Sequence, residues 1–90
     1  MPGPAMTLYY FHFQSGDRLI VDPEGIDLTG PADALEMAAK LAADLLADRE
    51  VACDWARSAF RVEDQHRRRV LRLPLAAVRA KAGRRRARMN

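Results

Sequence analysis

The sequence lacks several features that would point to a compartment. It contains a single cysteine, Cys53, so an internal disulfide is excluded and a reducing compartment is expected. No apolar run approaches the length of a membrane span. Residues 1–16 carry no charged side chain, but they lack the basic start, the aliphatic core and the cleavage site of a signal peptide. We therefore expect a cytoplasmic protein without a membrane partner, whose translation starts at either Met1 or Met6.

The sequence also lacks the combinations of residues that carry catalysis or bind metals. His12, His66 and Cys53 belong to different predicted elements, without the short spacing of zinc ligands. No base is identifiable for Cys53, so we expect a buried, inert thiol. There is no phosphate-binding glycine loop. These observations predict that the protein is not an enzyme and uses neither a cofactor nor a metal.

Four acidic residues within one short stretch could suggest a site for a hard cation. Their spacing does not match the twelve-residue loop of an EF-hand, which needs oxygen ligands at regular offsets and a closing glutamate. An ordinary solvated turn is therefore the preferred interpretation. The four residues are Asp17, Asp22, Glu24 and Asp27.

Charge is distributed unevenly along the 90 residues, whose formal net charge is +3. Residues 1–54 hold ten acids and three bases, whereas residues 55–90 hold two acids and twelve bases. Six bases and no acid lie in the last twelve residues, where they would attract phosphates or an acidic partner, although no aromatic side chain there could stack on bases. The candidate contact residues are Arg79, Lys81, Arg84, Arg85, Arg86 and Arg88.

One long helix is predicted over Pro31–Arg49, where apolar side chains recur with a period of 3.6 residues. Pro31 suits the first helical turn, and acidic residues near the N-terminus suit the helix dipole. Glu36, Lys40 and Asp44 should face solvent. The predicted buried side consists of Leu35, Ala38, Leu41, Ala42, Leu45 and Leu46.

Strands are predicted on both sides of this helix. Thr7–Phe13 is apolar on both faces, which favours a central strand, and a return strand over Arg18–Asp22 should turn Leu19 and Val21 towards the core. Ile26–Leu28 could form a further extended segment. Trp55 should cover one end of the core. Phe60 and Val62 should face inward from Ser58–Glu63, and Leu71, Leu73 and Leu75 should share one face of Arg69–Leu75.

The element order predicts an α+β fold: a single small β-β-α-β-β domain in which an antiparallel sheet of two hairpins packs on one long helix. Residues 1–6 are predicted to be a disordered extension and residues 7–78 to be the domain. Residues 79–90 should form a basic helix end and disordered tail, with a short helix over Ala76–Ala82 that Gly83 stops.

The sequence contains an aromatic strand ending in Tyr10-Phe11-His12, the turn Asp22-x-Glu24-Gly25, and a final Leu-x-Leu-Pro strand. These three stretches resemble a family of short bacterial proteins known only as a domain of unknown function. The resemblance covers Thr7–Ala77 and implies the fold but no activity. Two positions depart from the family pattern: Arg67 stands where a turn glycine is usual, and Leu75 where phenylalanine is usual. A weaker resemblance, over Leu8–Leu46, is to small sheet-and-helix antitoxins.

These observations favour a small non-enzymatic interaction module, with self-association or an unknown protein as its partner. The second hypothesis is weak, non-specific binding of nucleic acid through the basic C-terminal residues. An antitoxin-like role as the partner of a toxin would combine the two. The identity of a partner, the order of the strands and the oligomeric state do not follow from the sequence.

Overall fold

The computed structural model describes residues 6–48 and 54–79. Five strands and one long helix lie in this part of the chain, and they confirm the α+β class. A short 3-10 helix, Trp55–Arg57, precedes the fourth strand, and residues 75–79 are helical. In chain order, the main elements are β1 (Thr7–Ser15), β2 (Arg18–Ile20), β3 (Ile26–Leu28), α1 (Pro31–Ala47), β4 (Ser58–Glu63) and β5 (Arg69–Pro74).

The sheet is antiparallel, and β1 lies at its centre as predicted. Strands run in the order β2-β1-β4-β5, and β3 also pairs with β1. The last residues of β1 pair with β2 across a two-residue turn, whereas the first residues, Thr7–Tyr9, pair with β3. Between these two pairings, the outer edge of β1 has no partner strand among the described residues. The side chain of Asp22 fills this gap.

Helix α1 packs against one face of the sheet through alanines. Ala34, Ala38 and Ala42 are each 0% exposed, and they contact a cluster that includes Tyr9, Phe11, Phe60, Val62 and Leu75. Alanine side chains allow a helix to approach strands closely. Most of the side-chain volume in the core is therefore supplied by residues outside the helix.

The predicted buried side of α1 needs one correction. Leu35 was placed in the core, but 49% of its surface is exposed, and Ala34 takes the buried position instead. The rest of the predicted face is oriented as expected, because Ala38 and Ala42 are also 0% exposed and Leu35 lies at the margin of their side of the helix. Leu41, Leu45 and Leu46 are half-buried against the core, as expected, and Glu36, Lys40 and Asp44 are exposed.

Two further predictions about packing were wrong. Leu19 and Val21 were expected to face the core but are 47% and 59% exposed, because the register places Leu19 opposite Gln14 on the sheet face away from α1. Trp55 was expected to cover the core but is 38% exposed. Its ring instead lies 4.0 Å from the guanidinium carbon of Arg79, in a cation–π contact.

The inward alternation of β4 is confirmed, since Phe60 and Val62 are buried. Leu71 and Leu73 are half-buried against the core, and Leu75 is fully buried just after β5. Cys53, the residues before Met6 and those after Arg79 lie outside the described residues, so the predictions for both termini, for Gly83 and for a buried thiol stay predictions. Among the described residues, no helix combines the length and apolar character needed to cross a bilayer.

Candidate functional site

The sheet face opposite α1 carries the polar and charged side chains of the three longer strands. Side chains alternate along a strand, so the residues between the buried ones on β1 and β4 project to this side, and their cross-strand neighbours share it. We call this surface the open face. It is formed by Tyr10, His12, Gln14, Arg61, Glu63 and Arg72.

His12 is the best-buried titratable side chain of the open face, and both of its ring nitrogens are engaged. The backbone N–H of Asp22 donates to Nδ1 at 3.0 Å, and Nε2 lies 3.1 Å from Oε1 of Glu63. Because a backbone N–H can only donate, Nδ1 must accept, and the ring hydrogen sits on Nε2 and is donated to Glu63. The Tyr10 ring stacks beside it, with centroids 6.3 Å apart. His12 is therefore held in one tautomer and one orientation.

The Asp22 carboxylate fills the gap on the outer edge of β1. Its Oδ2 accepts the backbone N–H of Phe11 at 3.1 Å, and its Oδ1 accepts those of Glu24 at 3.1 Å and Gly25 at 3.2 Å. Partial burial opposes ionisation, but these three donors and the nearby His12 outweigh it and lower the pKa of Asp22 below its ordinary value. Asp22 thus replaces a missing strand partner with a side chain.

Gly25 allows the turn after Asp22 to pack directly against β1. Its φ of 74° lies in the left-handed region that favours glycine. A Cβ built there would lie 3.0 Å from side-chain carbons of Leu8 and 3.1 Å from the Tyr10 ring. The aromatic strand and the Asp-x-Glu-Gly turn, two of the stretches that carry the family resemblance, therefore form one contact.

The acidic stretch has no arrangement suited to a cation. Asp22 is occupied by backbone donors, while Asp17, Glu24 and Asp27 are exposed. Among the described residues, no group of three or more histidine, cysteine, aspartate or glutamate side chains is arranged to hold a metal ion.

An open cleft of about 470 Å³ lies beside His12. On one side it is bounded by the turn between β4 and β5, where Arg67 has a φ of 64°. This left-handed backbone agrees with the glycine that the family pattern has at this position. The cleft is lined by Tyr10, His12, Val21, Asp22, Pro23, Gln65 and Arg67.

Asp64 fixes this turn through backbone contacts. Its side-chain Oδ1 accepts the N–H groups of His66 at 2.8 Å and Arg68 at 3.0 Å, and its carbonyl accepts the N–H of Arg67 at 3.0 Å. The bond from Arg68 contributes most to lowering the pKa of Asp64, assisted by His66 and opposed by desolvation. Arg67 is thereby kept at the cleft in a conformation that its own side chain disfavours.

Two arginines lie directly opposite each other on the open face. Arg61 of β4 pairs with Arg72 of β5, and Arg61 is flanked on its other side by His12. Like charges in direct cross-strand contact destabilise a sheet. The one ion pair within the described residues joins His12 and Glu63, and no described carboxylate lies within ion-pair distance of either guanidinium. Of the charged residues that form the open face, these two arginines are therefore the ones without an ion-pair partner in the described part of the chain.

The residues chosen from the sequence as basic contacts are largely outside this site. Arg79 lies against Trp55, while Lys81, Arg84, Arg85, Arg86 and Arg88 fall outside the described residues. The alternation that turns Phe60 and Val62 inward also turns Arg61 outward, but it does not reveal the pairing with Arg72. Each arginine lies at an outward-facing position in the alternating pattern of its own strand. That the two lie opposite each other depends on the strand register.

Comparison with known proteins gives one family and no individual relative. The model of a family described as a domain of unknown function (DUF6894) matches residues 8–76. No curated protein matches the chain, and no solved structure matches it. The expected family is confirmed, whereas the weaker resemblance to antitoxins stays a prediction.

Proposed function

Since the chain belongs to the family of the domain of unknown function DUF6894, we propose from its own geometry that it is a non-enzymatic interaction module. Its open face binds an acidic segment of a partner protein. The cross-strand pair of Arg61 and Arg72 carries this proposal, because two arginines without an ion-pair partner among the described residues occupy directly opposite positions of β4 and β5.

Arginine suits carboxylates because its planar guanidinium can donate two parallel hydrogen bonds to one carboxylate group. An acidic side chain seated between Arg61 and Arg72 would remove their mutual repulsion and add charge-assisted hydrogen bonds. The unfavourable pair in the free domain would thus become a favourable contact in the complex, which concentrates binding energy at one place on the open face.

The polar groups nearest this pair support a role in binding rather than catalysis. Both nitrogens of His12 have partners, and Glu63 accepts the hydrogen on Nε2. Both oxygens of Asp22 accept backbone N–H groups. A general base or a nucleophile needs a free, positioned group, and these side chains instead hold β1, β4 and the turn together.

Nucleic-acid binding is the second candidate and rests on the basic C-terminal residues. The open face favours it less, because its two arginines form one cross-strand pair rather than a continuous groove, and the Tyr10 ring stacks on His12. Binding of single strands typically combines a continuous basic groove with available aromatic rings. An antitoxin-like role draws no support from the contacts of the described residues.

The proposal is tested by anisotropy titration of a fluorescein-labelled peptide rich in glutamate and aspartate. We expect binding that weakens with salt, and the double variant Arg61→Ala/Arg72→Ala should lose at least about tenfold in affinity, since each charge-assisted hydrogen bond contributes roughly 1.5–3 kcal/mol. Lys40→Ala is the matched control, because Lys40 is an exposed cation on α1, which packs on the other face of the sheet.

A labelled single-stranded DNA of equal charge is titrated in parallel, and far-UV circular dichroism checks that each variant is folded. Unchanged peptide binding by the double variant would overturn the proposal, as would an equal loss in Lys40→Ala. Tighter binding to the DNA, with the arginine variant unaffected, would favour the C-terminal nucleic-acid hypothesis.

A further inference from the structure

Strand β2 exposes an apolar surface at the edge of the sheet. Its outer side has no partner strand among the described residues. The consecutive residues Leu19, Ile20 and Val21 are 47%, 65% and 59% exposed. An exposed apolar edge strand is a ready template for pairing with another strand, and soluble proteins usually protect such edges with charge, proline or a covering element.

The backbone groups of β2 that face outward follow from the contacts of β1. The N–H of Phe11 points to the outer side of β1, where it bonds Asp22, so the N–H groups of Phe13 and Ser15 point the same way. Their partners, Ile20 and Arg18, therefore turn their backbone groups inward. The N–H of Asp22 also points inward, to Nδ1 of His12. By alternation, Leu19 and Val21 present free backbone N–H and C=O groups at the edge.

The sequence of this edge is complementary to itself. In the antiparallel direction, residues 18–22 run Arg-Leu-Ile-Val-Asp in one copy and Asp-Val-Ile-Leu-Arg in the other. With Ile20 at the two-fold axis, Leu19 lies opposite Val21 and Arg18 lies opposite Asp22 of the second copy. Apolar side chains meet apolar ones, and at both ends the positive charge of Arg18 lies near the negative charge of Asp22, whose oxygens already accept backbone N–H groups of their own copy.

We propose that β2 pairs with β2 of a second copy of this chain in an antiparallel, two-fold symmetric arrangement centred on Ile20. The hydrogen bonds would join Leu19 of each copy to Val21 of the other, and Ile20 would face its own counterpart as a non-hydrogen-bonded pair. The result is one continuous sheet across both copies. The pairing uses the outer edge of β2, whereas the proposed acidic partner contacts β4 and β5, so the two interactions are independent.

Few residues take part in the contact, so we expect a dimer that forms and separates with concentration, as small interfaces do. Light scattering after size exclusion should give a mass that rises from the 10.1 kDa of the monomer towards twice that value as the concentration increases. Ile20→Lys should remain monomeric, because charge on an edge strand opposes pairing. Leu35→Lys is the matched control, since Leu35 is an exposed leucine on α1 and should not alter the mass.

Arg18→Glu is the second variant, since it would place two acids opposite each other at each end of the pairing. It should also shift the protein towards monomer while leaving the apolar residues in place. Circular dichroism and urea melts establish that each variant is folded. A full-length protein that stays monomeric at the highest attainable concentration would overturn the proposal. So would a folded Ile20→Lys variant that still forms dimers.

Disulfide cross-linking tests the register in a Cys53→Ser background. Ile20→Cys should give a covalent dimer on mild oxidation, because a non-hydrogen-bonded antiparallel pair has Cα atoms about 4.5 Å apart, within the range of a disulfide. Leu19→Cys should cross-link poorly, since the two copies of residue 19 would be diagonal neighbours about 7–8 Å apart.

Preferential cross-linking of Leu19→Cys would contradict the pairing centred on Ile20. The result is also separable from the proposed function. The Arg61→Ala/Arg72→Ala variant should still dimerise, and Ile20→Lys should still bind the acidic peptide.

Discussion

Arg67 has a backbone conformation that its residue type disfavours. Its φ of 64° is the one positive φ of a non-glycine residue in the described part of the chain. The two N–H groups bound by the Asp64 side chain flank it and hold the turn in this shape. An L-residue with a side chain is strained there, since Cβ approaches the backbone too closely.

Arg67→Gly is therefore expected to be neutral or to stabilise the domain by up to about 1 kcal/mol. The gain is limited because glycine also increases the entropy of the unfolded chain. Urea melts measure the change, and Arg67→Ala is the control, since alanine keeps the Cβ and should bring no such gain. A clear loss of stability in Arg67→Gly would mean that the arginine side chain makes a contact that outweighs the strain.

Asp22 couples the fold to pH. Its pKa is lower in the folded domain than in the unfolded chain, so the ionised form stabilises the native state at neutral pH. This contribution is fully present above the unfolded value of about 3.9 and is lost as pH falls through the folded value. Asp22→Asn should cost about 1–3 kcal/mol at neutral pH, because a weaker acceptor faces the same three donors.

Urea melts of wild type and Asp22→Asn at a series of pH values test this expectation. The difference between the two proteins should shrink in acid, below about pH 4. Asp17→Asn is the control, because Asp17 is an exposed turn residue. A difference of the same size in acid and at neutral pH would show that the Asp22 side chain acts through shape rather than charge.

At the scale of elements, the sequence predicts where α1 begins and ends, but not which residue at its N-terminal end is buried. The apolar period predicted a helix from Pro31, and the observed helix ends at Ala47, within two residues of the predicted end. Hydrophobicity alone favoured Leu35 as a core residue over Ala34. The packing reverses this order, because Ala34 lies on the same side of the helix as the buried Ala38 and Ala42, whereas Leu35 is 49% exposed.

The variants Leu45→Ala and Leu35→Ala test which side of α1 packs against the sheet. Leu45 is half-buried against the core, so its truncation should cost about 2 kcal/mol, the lower end for a packed leucine. Leu35 is 49% exposed, and its truncation should change stability by no more than about 0.5 kcal/mol. Urea melts of the two variants provide the comparison. Equal losses of stability would mean that Leu35 packs against the sheet as closely as Leu45 does, so that α1 has a different orientation.

The strands show why residue type does not determine burial at an edge. Leu19 and Val21 have the alternation of a half-buried strand, but β2 lies at the rim of the sheet and they project to the face away from α1. The same apolar character that would suit a core position thereby becomes an exposed surface. This exposure motivates the proposed pairing of two copies.

At the scale of the whole molecule, the fold brings the separated charges of the sequence onto shared surfaces. Arg61 and Arg72 come from the basic half of the chain, and His12 and Asp22 from the acidic half. The antiparallel order β1-β4-β5 places His12, Arg61 and Arg72 in one row. An acidic partner on this row and a second copy on β2 would occupy separate parts of the sheet, so the domain could engage both.

The sequence by itself determined the α+β class, the central position of β1, the extent of α1 and the left-handed turn at Arg67. These features follow from local periodicity, from backbone preference and from resemblance to the family pattern. Tertiary structure decided the contact of His12 with Asp22 and Glu63, the pairing of Arg61 with Arg72, and the exposure of β2. Each of these depends on strand order and register, which join residues up to 51 positions apart through hydrogen bonds that no local pattern specifies.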